Sequence, residues 1–330
     1  METYIVSYIH IRVLLFADDT VILSKSADEF QKCLNDFNQY CMEWKLKNNP
    51  NKTKVIVFGT NKRGIRNFNF TIAGNNIEIV DSYKYLGVYF SSNGSFYKAR
   101  SHLVSQAKKA MYLLYKRIYN LHLPIDLQLK LFDHTISPIL SHGSELWSYE
   151  KTNIIEKVHL EFLRKSRKST HAYMLYAELG RYTLKVTFQT KMIKYWINII
   201  TGSKSKFSYM VYKHLYRNRH CKWLTCITNI LDLTGHSDLF LNQNNIRKSS
   251  YILIKRTLID EFIQEWNCKL EGSNKGKQYK LFKDNIELEK YLITLPMQYV
   301  FPIFKFRTSN HKYSVETRRW NDTPYNERFV

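Results

Sequence analysis

Leu14-Leu15-Phe16-Ala17-Asp18-Asp19-Thr20-Val21-Ile22-Leu23-Ser24 sets two adjacent carboxylates between two apolar runs. Each run is apolar on successive positions, the pattern of a strand covered on both faces. The reading is therefore a tight hairpin with Ala17-Asp18-Asp19 at its tip. Neighbouring carboxylates repel each other and resist desolvation. On a regular strand they would point to opposite faces, whereas a turn lets both lean toward one point. A hard divalent cation there relieves the repulsion, and Mg²⁺ is typically held by one or two carboxylates plus substrate phosphates. That donor set suits two-metal phosphoryl or nucleotidyl transfer. A solvated Asp-Asp turn is the plain alternative.

Downstream, Ser26 and Glu29 have the spacing of a capping box. Phe30, Cys33, Leu34, Phe37, Cys41 and Trp44 continue at three- and four-residue intervals, which predicts an amphipathic helix over 26–47 ending at Asn48-Asn49-Pro50-Asn51. Lys54–Phe58 reads as a strand, Phe68–Val80 as a hairpin around Gly74-Asn75-Asn76, and Tyr83–Phe90 as an aromatic strand before a turn at Ser91–Gly94. Beyond that the pattern is helical, with helices predicted over 97–120, 127–140, 153–168, 184–200, 207–217, 244–270 and 285–295. The fold class is α+β.

The 330 residues include 50 Lys and Arg against 28 Asp and Glu, a formal charge of +22. Such a balance points to a polyanionic partner. With 44% apolar and 15% aromatic residues, the chain has enough apolar surface to fold, which excludes a disordered tail. Five cysteines without a Cys-x-x-Cys pair argue against a disulfide framework. Ile5–Leu23 is interrupted by His10, Arg12, Asp18 and Asp19, so it does not read as a membrane span, and no membrane partner is expected. His220, Cys221, Cys226 and His236 match no zinc-site spacing and read as structural.

The stretch Leu14–Ser24 resembles the catalytic hairpin of reverse transcriptases from non-LTR (LINE-type) retrotransposons. Asn49–Phe58 is similar to the family's next palm motif, and Tyr85-Leu86-Gly87-Val88 to its primer-grip hairpin. Leu131-Phe132-Asp133, Pro138–Trp147, Phe306–His311 and Arg318-Arg319-Trp320 resemble later segments, in order. The resemblance implies a partial palm over 1–95, a thumb-like helical region over 96–150 and a helical extension over 151–330. It implies that Asp18 and Asp19 are metal-ligating and catalytic, that Phe16 and Ala17 lie near the primer end or incoming nucleotide, and that Tyr85, Leu86 and Gly87 form the primer grip. Lys52 would neutralise phosphate charge; a solvated lysine reads equally well there. The implied cofactor is Mg²⁺, and the implied partners are an RNA template, a DNA primer and a dNTP. Nuclear localisation follows from the family alone.

The family also uses a further palm aspartate upstream of the hairpin, and Glu2 is the one acid preceding Asp18. The expectation is a fragment, weak in Mg²⁺ and inactive by itself. Chain ends are read the same way: Asn326-Glu327-Arg328-Phe329 resembles the segment before a zinc knuckle. Arg181-Tyr182-Thr183-Leu184 has Thr where the family usually has proline. For nucleic-acid binding the candidates are Lys108, Lys109, Lys116 and Arg117, interleaved with Tyr112, Tyr115 and Tyr119, then Arg164, Lys165, Arg167 and Lys168, and a third run of Lys305, Arg307, Lys312, Arg318 and Arg319. Each could equally be a solvated face, with the tyrosines a core stripe. The rival readings are a non-enzymatic nucleic-acid-binding remnant and a pseudogene product.

Overall fold

Ser26 starts the first helix as its spacing predicts: its hydroxyl accepts the Glu29 N–H at 3.2 Å. The reciprocal half of the box does not form, because the Glu29 carboxylate accepts instead from the Ser24 hydroxyl. The computed structural model describes residues 13–59, 68–164, 170–218, 221–311 and 323–324. The sequence features at Lys165, Arg167, Lys168, His220, Lys312, Arg318, Arg319, Trp320 and Asn326–Phe329 lie outside the described residues. The chain divides into two compact units, residues 1–99 with 211–217, and residues 100–210 with 218–330.

The first unit is built from paired short strands and one helix. Strands β1 (Val13–Phe16) and β2 (Asp19–Ile22) form an antiparallel hairpin in which Phe16 faces Asp19 and Val13 faces Ile22. Helix α1 covers Ala27–Glu43. Strand β3 is only Lys54–Val55 and runs parallel to β6 (Glu78–Ile79). The predicted strand to Phe58 is thus cut short, since Ile56–Phe58 gain no ladder partner among the described residues. β4 (Thr71–Ile72) and β5 (Asn75–Asn76) make a second hairpin whose loop is Ala73-Gly74, one step before the predicted centre. β7 (Ser82–Tyr85) and β8 (Val88–Ser91) are two strands where one was expected, folded back at Leu86-Gly87. Both loop residues there have positive φ, +47° and +84°, and glycine accepts that without a Cβ clash.

A small core gathers Leu34, Val55, Phe70, Ile72 and Ile77, with Ile22 and Phe30 against it. Phe30 meets Phe70 edge-on at 5.1 Å. Gln31 of α1 imitates a neighbouring strand: its amide donates to the Thr71 carbonyl at 2.8 Å and accepts the Thr71 N–H at 3.0 Å.

The second unit is helical. α2 (Tyr97–Asn120), which starts in the first unit, buries Leu103, Ala107, Met111, Leu114 and Ile118, one stripe at helical spacing. The predicted helix over 127–140 is broken into α3 (Ile125–Leu131), a wide π turn (Phe132–Ile136) and α4 (Ser137–Leu140). Pro138 accounts for the break, because it withholds the N–H that would bond the His134 carbonyl. There follow α5 (Ser144–Trp147), α6 (Asn153–Leu163), α7 (Ala172–Glu178), α8 (Leu184–Thr201) and α9 (Phe207–Asn218), the last shared with the first unit. Next come α10 (Lys222–Leu233), α11 (Asp238–Leu241), α12 (Ser250–Glu271), α13 (Asn274–Lys280), α14 (Tyr291–Thr294) and α15 (Met297–Arg307). α8 is buried almost all round, through Leu184, Val186, Phe188, Met192, Ile193, Trp196, Ile197 and Ile199. Trp147, Trp196 and Trp266 are fully buried, and the Trp147 and Trp266 indoles donate to the carbonyls of His142 and Tyr173.

Candidate active site and nucleic-acid face

The β1–β2 ladder leaves a two-residue loop, Ala17-Asp18. Ala17 takes φ +52°, an unusual conformation for a residue with a Cβ, and that fold-back releases Asp18 from strand alternation. Asp19 opens β2 and shares a face with Phe16, opposite to the face that carries Ile22 into the core. Both aspartates are exposed, and neither has a hydrogen bond or ion pair among the described residues. The strands are not covered on both faces as the sequence predicts: Leu15 is 72% exposed and Phe16 61%. A two-stranded hairpin with bare faces lacks the packing that buried apolar runs require.

Lys52 is exposed and sits in a turn closed by its own N–H donating to the Asn49 carbonyl at 3.1 Å. The Tyr83 hydroxyl donates to the Lys52 carbonyl at 2.7 Å, which ties this turn to strand β7. One register step beyond Lys84, Tyr85 enters the loop that presents Leu86, 44% exposed, at its tip. Lys52 and the Tyr85-Leu86-Gly87 hairpin are thereby joined through β7. No hydrogen bond or ion pair connects them to Asp18 or Asp19 among the described residues. No group of three or more His, Cys, Asp or Glu suited to a metal ion occurs among the described residues.

Residues 1–90 match the family model for reverse transcriptase (RNA-dependent DNA polymerase). This segment belongs to the reverse transcriptase family. The match spans the Asp18-Asp19 hairpin, the Lys52 turn and the Tyr85-Leu86-Gly87 hairpin. An uncharacterized transposon-derived protein of Caenorhabditis elegans is 25% identical over 218 residues, which is 65% of this chain and 75% of that protein. A likeness of that length cannot be held within the reverse transcriptase segment and runs into the helical unit. No solved structure matches the chain.

On α2 the tyrosines divide. Tyr115 is the inward one, stacked on Phe162 at 6.0 Å with rings nearly parallel, and burial with Glu161 nearby pushes its hydroxyl pKa well up. Tyr112 and Tyr119 are not core residues: they are 61% and 77% exposed, on one face with exposed Lys109 and Lys116. Arg117 is also exposed, while Lys108 is engaged by Glu161 at 3.1 Å. Aromatic rings between cations suit bases and phosphates of a single strand or duplex edge.

The third basic run loses its strongest member to the fold. Arg307 donates through Nε to Glu178 at 2.9 Å and lies 3.3 Å from Glu289. Burial opposes its charge, but the two glutamates outweigh that and raise its pKa. Glu178 is completely buried and also accepts from the hydroxyls of Tyr279 at 2.9 Å and Tyr291 at 2.7 Å. Sequence reading gives no sign of this cluster, because its four members are scattered over 130 residues without a motif; the isolated acid in an apolar helix, Tyr176-Ala177-Glu178-Leu179, is the one local hint. Cys41 is buried as predicted, whereas Cys33 is half-buried. Cys226 lies on α10, and burial raises its thiol pKa, the opposite of what a metal thiolate requires. Among the described residues no helix is long and apolar enough to cross a membrane.

Proposed function

We propose that the chain is a palm-hairpin-onward part of a non-LTR retrotransposon reverse transcriptase, whose parent makes DNA on an RNA template from a primer 3′-hydroxyl. The observation that carries this reading is the pair of exposed, unpaired carboxylates on a two-residue turn inside the matched segment. Oxygen donors without a competing cation fit a hard divalent ion, and Asp18 and Asp19 would hold Mg²⁺. When bound, that ion would stabilise charge at the transferring phosphate. The chain's own residues have distinct tasks: Phe16 and Ala17 border the primer end, Tyr85-Leu86-Gly87 supports the primer strand, and Lys52 offsets phosphate charge. The helices after β8 serve as the thumb, with Lys109, Tyr112, Lys116 and Tyr119 against the template–primer duplex. Work on a chromosomal target implies a nuclear location.

A two-carboxylate centre holds Mg²⁺ weakly, so this chain is inactive until a further palm carboxylate is supplied. Primer extension on an RNA template tests this. The chain alone gives no product; joined to a segment that carries the upstream palm strand, it extends the primer, and Asp18→Ala abolishes extension. Undiminished extension by Asp18→Ala in the joined protein would remove the metal assignment.

A second reading, nucleic-acid binding without chemistry, is favoured by the exposed tyrosine–lysine face alone. It predicts affinity for an RNA–DNA duplex that falls linearly with log salt and drops in Tyr112→Ala and Lys116→Gln. A flat salt response would dismiss it.

A further inference from the structure

The helical unit contains an open cleft of about 720 Å³ walled by α6, α7, α8 and α12, a size that fits a small ligand or one nucleotide unit. Its polar lining is cationic on balance. Arg164, Lys185 and Lys269 line it against Glu156 and Glu265. Glu156 is already satisfied: it accepts from Tyr176 at 2.6 Å and from the Leu184 N–H at 2.8 Å, and meets His159 at 2.9 Å. Glu265 pairs with Lys269 at 2.6 Å. That leaves Arg164 and exposed Lys185 as the cations not offset by an ion pair among the described residues.

Arg164 is the decisive group. Its Nε–H is buried with no hydrogen-bond partner among the described residues. A buried donor of a charged group left unmade is costly, so a site that keeps one is arranged for an acceptor that comes from outside. The first turn of α6 also borders the cleft through Thr152 and Asn153, and no side chain caps that helix end. Its N–H groups add positive potential on the same side. Arg164 and Thr170 both line the cleft, and the chain between them carries Lys165, Arg167 and Lys168.

We propose that this cleft binds a phosphate group, with Arg164 as the directional donor and Lys185 as a second charge. The phosphate belongs either to a free nucleotide or to a nucleic-acid strand. The proposal stands independently of metal binding at Asp18 and Asp19.

The test uses the full chain and three probes: inorganic phosphate, a nucleoside 5′-monophosphate and a short 5′-phosphorylated single-stranded oligonucleotide. Affinity is measured by calorimetry, and the site is read by protection of Lys185 from acylation, followed by mass spectrometry. At least one probe should protect Lys185, and Arg164→Gln should weaken that probe about tenfold, the loss of a charge-assisted hydrogen bond. Lys185→Gln, an exposed change that leaves the core intact, should weaken it similarly. Arg164→Lys keeps the charge and should restore part of the affinity. Protection by the mononucleotide alone supports a free ligand, and protection by the oligonucleotide alone supports a strand. No protection by any probe, or unchanged affinity in Lys185→Gln, would overturn the proposal.

Discussion

Asp18 with Asp19 and Glu178 are the same chemical group in opposite settings. The aspartates stand exposed on a bare hairpin without partners among the described residues, while Glu178 is fully buried under Tyr279, Tyr291 and Arg307. Water solvates the first pair, so their mutual repulsion is tolerable and their lone pairs remain open. Hydrogen bonds and a guanidinium replace water around Glu178, so its lone pairs are engaged and it fastens four helices, α7, α13, α14 and α15. An acid available for chemistry and an acid used for architecture are told apart by this accounting, not by residue type.

Removing the buried acid is the strongest way to break the comparison. Glu178→Ala leaves Arg307 facing a hole and should cost about 3–5 kcal/mol of stability, read by urea unfolding. Alkaline pH attacks the same cluster. Burial, with the charge of Glu178 adding to it, keeps the Tyr279 hydroxyl protonated well past its usual range. A tyrosine in the unfolded chain ionises near pH 10, so the stabilisation is complete below that pH. It falls as pH rises further, by about 1.4 kcal/mol per pH unit for each such tyrosine. Tyr279→Phe should make this slope shallower in pH-dependent unfolding; an unchanged slope would mean that Tyr279 is not held protonated by the fold.

Smaller effects sharpen the hairpin side. Gln31→Ala deletes both bonds to the Thr71 backbone and should destabilise the first unit by about 1–2 kcal/mol, with faster hydrogen exchange at Thr71. Thr183 already holds φ −62°, the angle a proline imposes, and its N–H lacks a partner among the described residues. The departure from the family's proline is therefore conformationally neutral, and Thr183→Pro should add about 0.4–1 kcal/mol in thermal unfolding.

Much of this arrangement was legible in the residues. Helical periodicity placed α2 at its observed limits, and the Ser26 cap, the Asp18-Asp19 turn and the Leu86-Gly87 fold-back follow from local chemistry. Pro138 was legible as a residue but its effect was not, since a π turn replaced a simple helix end. α15 escaped notice because Pro296 and Pro302 read as breakers, although one serves as the helix cap and the other is carried inside the helix. The core role of Tyr115 against the exposure of Tyr112 and Tyr119 depended on which helix face Phe162 covers. The Glu178 cluster and the Arg164 cleft were invisible for one reason: their members meet only through tertiary packing.

Equilibrium unfolding of the Asp18→Asn, Asp19→Asn double variant tests the central contrast most directly. Exposed acids with no partner should contribute nothing to folding, so the variant should match the parent within about 0.5 kcal/mol, with hydrogen exchange across Val13–Ile22 unchanged. A loss above about 1.5 kcal/mol would show that these aspartates hold the hairpin together, and would contradict their assignment as groups kept open for metal.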